Sequence, residues 1–180
     1  MLRPLAMAHT WLEEIICAGD TTVDATMGQG FDTAFLAGLG SKVFTFDVQQ
    51  LALDMTRERL SHTGATAELI LDGHENVDQY VSGEVKAAIF NLGYLPKSDK
   101  KLITQADTTL TALRKLLEML SNKGRIAIMV YYGHDGGEME KDAVLAFVSS
   151  LDQKQYQVYH YGAMNQVNQP PFLVMIEKLG

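Results

Sequence analysis

Six short segments of this chain carry the residue types that do chemistry, and each follows an apolar or β-branched run. The first reads Asp24-Ala25-Thr26-Met27-Gly28-Gln29-Gly30-Phe31-Asp32-Thr33, with glycines where a chain turns sharply and lets its backbone approach a ligand. A dinucleotide fingerprint would have a third glycine where Thr33 stands, which disfavours NAD and FAD. A G-x-G alone is explained about as often by a tight structural turn. Next comes Asp47, an acceptor able to take both hydrogens of a ribose diol, or simply a cap for a helix starting near Gln50. In Asp72-Gly73-His74-Glu75, Asp72 or His74 can contact a planar base, and an N-cap is the plainer alternative. Asn91-Leu92-Gly93-Tyr94-Leu95-Pro96 offers the Asn91 amide oxygen as an acceptor for an amine's hydrogens and Tyr94 as a ring to stack on a base. An ordinary strand exit with a buried tyrosine would look the same. Tyr131-Tyr132-Gly133-His134-Asp135-Gly136-Gly137-Glu138 supplies His134, the best general-base candidate because imidazole titrates near ~6.5. A lone histidine in such a loop is more often solvated or a cap. The amides of Asn165 and Asn168, ahead of Pro170-Pro171-Phe172, suit base-edge hydrogen bonding but are also common turn material.

These segments need a scaffold that brings them to one edge, and the periodicity predicts one. Strands are expected at Thr21–Ala25, Lys42–Asp47, Ala67–Leu71, Ala87–Asn91, Arg125–Tyr131, Tyr156–Tyr161 and Leu173–Glu177. Helical spacing appears at Pro4–Ala18, Phe31–Leu39, Gln50–His62, Lys100–Leu120 and Gly137–Leu151. Alternation of this kind implies an α/β fold, Rossmann-like and doubly wound, whose seven-stranded sheet is mostly parallel and covered on both faces. Gly162–Phe172 has no helical pattern, so the last two strands should form an antiparallel C-terminal hairpin. In such sheets ligands bind outside the carboxyl ends of the strands at the topological switch point, where five of the six segments fall, with the sixth beside them.

Composition narrows the function classes. A length of 180 residues with 47% apolar content suits one domain spanning 1–180. Fifteen Lys plus Arg against 22 Asp plus Glu leave a net charge of −7, so a polyanionic partner would need a local patch. Lys97, Lys100 and Lys101 are candidates for phosphate contact, or else merely solvate a helix start. Cys17, the single cysteine, lies in an apolar run and is expected to be a buried structural thiol in a reducing compartment. Met1–Asp20 lacks a signal-peptide pattern and no run reaches the roughly 18 apolar residues of a membrane span, so a cytoplasmic protein without a membrane partner is expected. The five histidines are too scattered for a metal site, and no G-x-S-x-G context supports hydrolysis.

The Asn91–Tyr94 stretch resembles the Asn-Pro-Pro-Tyr segment of amino-group methyltransferases, with Leu92-Gly93 in place of the two prolines. An amine attacking a sulfonium methyl must aim its lone pair in line with the departing sulfur, and Asn91 can set that direction by accepting the amine's hydrogens. Along essentially its whole length the chain is similar to the small bacterial rRNA-methylase family, whose characterised members methylate the aminomethyl group of 5-aminomethyl-2-thiouridine at the tRNA wobble position. The matching pieces are Asp24–Gly30 with Asp32-Thr33, Phe46-Asp47-Val48-Gln49, Gly73-His74-Glu75, Asn91–Pro96, Gly133-His134 and Asn165–Phe172. Gln29 stands where the family favours Asn, and Lys97-Ser98 where glycines are usual.

The resemblance implies S-adenosylmethionine as cofactor, held by Asp24, Thr26, Gly28, Gln29, Gly30, Asp32, Thr33, Asp47, Gln49, Asp72, His74 and Asn91. It implies catalytic roles for Asn91, Tyr94 and His134, and contacts from Tyr94, Lys97, Tyr132, Asn165 and Asn168 to a tRNA anticodon stem-loop, without a metal. Stacking of a splayed base fits Tyr94, Tyr131 and Tyr132. A homodimer is compatible with the modest size and apolar faces. Two other classes remain open at this point: a methyltransferase for rRNA or a small amine, and a nucleotide-binding oxidoreductase or non-catalytic module of the same fold.

Overall fold

The computed structural model describes residues 1–93 and 105–180. Among them, seven strands form a sheet: β1 (Thr21–Asp24), β2 (Lys42–Asp47), β3 (Glu68–Leu71), β4 (Val85–Leu92), β5 (Leu120–Val130), β6 (Tyr156–Tyr161) and β7 (Phe172–Lys178). Their order is β3-β2-β1-β4-β5-β7-β6. The pairs from β3 through β5 are parallel, whereas β7 runs antiparallel to both β5 and β6. The expected hairpin is present, but its second strand inserts between β5 and β6. A strand order of this kind is invisible to local periodicity.

The sheet is buried on both sides, and the strands show it residue by residue. In β4, Ala88 and Phe90 join one apolar cluster while Ala87 and Ile89 join the other; in β5, Ile126 and Ile128 alternate with Ala127 and Met129 in the same way. A period of two with apolar residues on both phases produces the near-continuous hydrophobic runs of a doubly covered sheet. One face is packed by α1 (Pro4–Glu13), α2 (Phe31–Gly38) and α3 (Gln50–Ser61) through Leu12, Leu36 and Leu60. The other is packed by a 3₁₀ helix (His74–Gln79), α4 (Ala106–Met119) and α5 (Gly137–Ser149) through Val77, Leu113, Leu116, Val144 and Val148. Among the described residues, no helix is long and apolar enough to cross a membrane.

Three local expectations change. The first helix stops at Glu13 instead of Ala18, because residues beyond it form the turn into β1, with Gly19 at φ +89° and the Cys17 N–H donating to Asp20 Oδ2 at 2.8 Å. Cys17 is therefore exposed and free, and its neighbour Ile16 takes the buried position. The β3–β4 connection contains a 3₁₀ helix that the polar stretch after His74 did not signal. The expected start of α4 at Lys100 lies outside the described residues.

Candidate active site

The chain runs outward from β1 to β3 and then restarts at β4 on the other side of β1, so the crevice between the carboxyl ends of β1 and β4 is the switch point. Two contacts stitch that crevice: Ala25 N–H donates to Ile89 O at 2.9 Å, and Asn91 N–H donates to Thr26 Oγ1 at 2.7 Å. A cavity of ≈ 740 Å³ opens above it, walled by the segments that end β1, β2, β3, β4 and β5. Of the sequence-derived candidates, Thr26, Gly28, Gln29, Asp32, Asp47, Gln49, Asp72, His74, Asn91 and His134 line this cavity.

Asp47, half-buried at the end of β2, accepts the Gly28 N–H at Oδ2 and the Gln49 N–H at Oδ1, each at 3.0 Å. Burial pushes its carboxyl above the ordinary value, while hydrogen bonds from Gly28, Gln49 and Val48 oppose the rise. Each oxygen has a second lone pair for an incoming hydroxyl. Gln49, not Asp47, stands at the N-cap of α3, so helix capping does not use up the carboxylate. Asp72 is more heavily engaged: it takes the Gly73 N–H, the Asn76 amide at 2.9 Å and the Tyr80 hydroxyl at 2.8 Å, and the Asn76 and Tyr80 bonds hold its carboxyl below the usual range.

His74 is buried, and burial lowers its pKa, so the ring is neutral. Its Nδ1 lies 2.8 Å from Ala25 O, which can only accept, so the proton sits on Nδ1 and leaves Nε2 as an acceptor. No described residue pairs with that buried Nε2. An orphaned polar atom on the wall of a cavity is unusual enough to point to a ligand.

Other candidates serve beneath the wall. Asp24 is fully buried, accepting the Thr26 N–H at 3.1 Å and the Thr33 hydroxyl at 2.6 Å. Burial first, and the nearby Asp32 second, push its pKa up to about 7. Neither Asp24 nor Thr33 lines the cavity; both brace the loop from below. Gly30 is also off the wall. At φ +76°, a Cβ there would come within 2.6 Å of Thr56 Oγ1 and 2.9 Å of Thr56 Cα, so glycine is required for the contact between the start of α2 and α3. Gly28, at φ +51°, is the glycine that faces the cavity.

Toward β5, Tyr131 lines the cavity, and burial together with Asp32 raises its pKa. Tyr132 does not line it; the ring packs near Phe172 with Lys141 Nζ 4.7 Å from its centroid. Asn165 and Asn168 are exposed and away from the wall, although Gln169 of the same segment bonds Glu138 at 3.1 Å. Tyr94 and Lys97 lie outside the described residues. Sequence reasoning missed His9, which reaches from α1 to Asp32 Oδ1 at 2.6 Å, and the wall residues Phe31, Gln105 and Thr108. Phe31 lies inside the first glycine-rich segment, where an apolar ring carries no chemical signal; the positions of His9, Gln105 and Thr108 depend on helix packing, and no motif signals them.

Residues 43–177 match the family described as "Putative rRNA methylase". The chain belongs to this family. A structure from Streptococcus mutans, described as a putative methyltransferase in complex with SAH (S-adenosylhomocysteine), is 51% identical, superposes with a TM-score of 0.94 and shares coverage of 99% of both chains. A Clostridium thermocellum member, described as a putative rRNA methylase, is 43% identical with a TM-score of 0.97 and 99% coverage of each chain. The chloroplastic tRNA (mnm(5)s(2)U34)-methyltransferase of Arabidopsis thaliana is 33% identical over 96% of this chain and 68% of its own length. This family member is a methyltransferase dependent on S-adenosylmethionine. The oxidoreductase and non-catalytic readings are thereby set aside.

Proposed function

We propose that the protein methylates the aminomethyl group of 5-aminomethyl-2-thiouridine at the wobble position of tRNA. The observation that carries this reading is an amide acceptor, Asn91, at the end of β4 in the same cavity as the Asp47 carboxylate and the His74 Nε2 acceptor, which has no partner among the described residues. The wobble uridine named for the Arabidopsis relative supports the choice of substrate.

In this reading Asp47 accepts the ribose hydroxyls of S-adenosylmethionine, Gly28 and Gln29 give backbone approach, and Thr26, Gln49, Asp72 and His74 complete the adenosyl side. When bound, the cofactor supplies a methyl carbon made electrophilic by a sulfonium. Asn91 accepts the hydrogens of the neutral amine and directs its lone pair along the line of attack. Methylation would leave the amine as an ammonium, and His134, on the wall of the same cavity, would take its proton, with solvent as the alternative acceptor. Tyr94 and Lys97, which follow Gly93 in the chain, are assigned to the base and the phosphates.

Mass spectrometry of digested tRNA from a strain lacking the protein tests the proposal. Accumulation of 5-aminomethyl-2-thiouridine is expected, and an unchanged nucleoside profile overturns it. The family description favours rRNA as the second reading. Methyl transfer to rRNA with none to the aminomethyl tRNA would select that alternative.

A further inference from the structure

Asn91 works as an acceptor only if its amide is turned the right way, and a side-chain amide can occupy its site with oxygen and nitrogen exchanged. The neighbouring groups decide between the two. Asp32, in the first turn of α2 and only 5% exposed, has one carboxylate oxygen 3.0 Å from Asn91 Nδ2 and the other 2.6 Å from His9 Nε2. An ionised carboxylate has no hydrogen to donate. The amide must therefore offer it Nδ2, since the exchanged orientation would set oxygen against oxygen. His9 in turn must carry its proton on Nε2 to bond Asp32, and its ring is held parallel to Phe35, with centroids 4.0 Å apart and planes 3° from parallel. The Asn91 main chain is tied separately through its N–H to Thr26 Oγ1.

We propose that His9 and Asp32 are positioning residues that orient the Asn91 amide, so that Oδ1 is the limb offered to the substrate amine. The inference rests on the amine-methylation reading above. His9 holds Asp32, Asp32 holds Nδ2, and neither needs to touch the substrate.

Three variants test the chain of contacts. His9→Phe keeps a ring to stack on Phe35 but removes the N–H; His9→Gln restores an N–H donor; Asp32→Asn offers both a donor and an acceptor, so it no longer dictates the amide's sense. With tRNA bearing the aminomethyl uridine, His9→Phe should lower kcat about tenfold while the Kd for S-adenosylmethionine, measured by calorimetry, stays within twofold. His9→Gln should return kcat to within about threefold of the wild type. In nitrogen-15 spectra, the wild-type Asn91 side-chain amide should show one proton shifted downfield and protected from exchange, a signature absent from Asp32→Asn. A kcat for His9→Phe within twofold of the wild type overturns the proposal, as does an Asn91 amide signal unchanged in Asp32→Asn. Wild-type protein that leaves the tRNA unmethylated would sink the substrate reading, and the amide spectra would still decide the orientation claim by themselves.

Discussion

The two sides of the cavity are held by different kinds of bond. Along the β1–β2 side, polar wall side chains are tied to main chain: Asp47 to the Gly28 and Gln49 N–H groups, and His74 to Ala25 O. Across the crevice, His9, Asp32 and Asn91 are tied side chain to side chain over separations of 23 and 59 residues. Backbone partners come with the fold, so groups on the first side are in place once the sheet forms. Those on the second are in place only while each side chain keeps its identity. The first side is thus expected to couple ligand binding to stability, whereas on the second His9, which is off the cavity wall, can be altered with binding and folding preserved.

The largest effect should follow Asp47→Ala. Losing charge-assisted hydrogen bonds to a diol costs about 2–3 kcal/mol, so the Kd for S-adenosylmethionine should rise roughly 30- to 150-fold by calorimetry. Binding within threefold of the wild type would remove Asp47 from the cofactor site. Gly30→Ala should come next, destabilising the protein by roughly 2 kcal/mol or more in thermal melts because the left-handed backbone and the clash with Thr56 add together. A Tm equal to the wild type would mean that the α2–α3 contact can move apart without cost.

Asp24 gives a test with a defined sign. Its folded pKa of about 7 exceeds the ordinary carboxylate value of 3.8, so between these pH values the native chain keeps a proton that the unfolded chain has released. Its contribution is full below the unfolded value and declines as pH rises toward about 7. Asp24→Asn stays neutral throughout and should gain on the wild type by up to about 1.4 kcal/mol per pH unit across that window. Urea midpoints from pH 5 to 8 would show it, and parallel curves for the two proteins would refute it. The smallest effect belongs to Cys17→Ser, a change at an exposed turn on neither side, expected to shift stability by less than about 0.5 kcal/mol.

Much of this site was legible at strand ends. Asp47 and Asn91 reach the cavity because each lies at or near the end of a parallel strand, and all parallel strands finish on one edge. Asp24 shares that address yet lies below the wall. Strand position gives the edge, but the side chain's surroundings depend on what packs above it, here Thr33 of α2. Gly30 was read toward a ligand, and the structure sets Thr56 of α3 against it: a requirement for glycine shows that something is close, without showing from the sequence what it is. His9 had no local signal, because its partner lies 23 residues away on another helix.

The amino-acid order by itself determined the alternation of strands and helices, the two-sided burial of the sheet, the rim on which the polar segments gather and the family they resemble. These follow from periodicity and from short motifs, which are properties of neighbouring residues. Tertiary structure alone decided that β7 enters between β5 and β6, that Cys17 faces solvent, and that His9 and Asp32 close on Asn91. Such outcomes come from packing between distant elements, where the free energy of a contact depends on both partners and is written in neither segment.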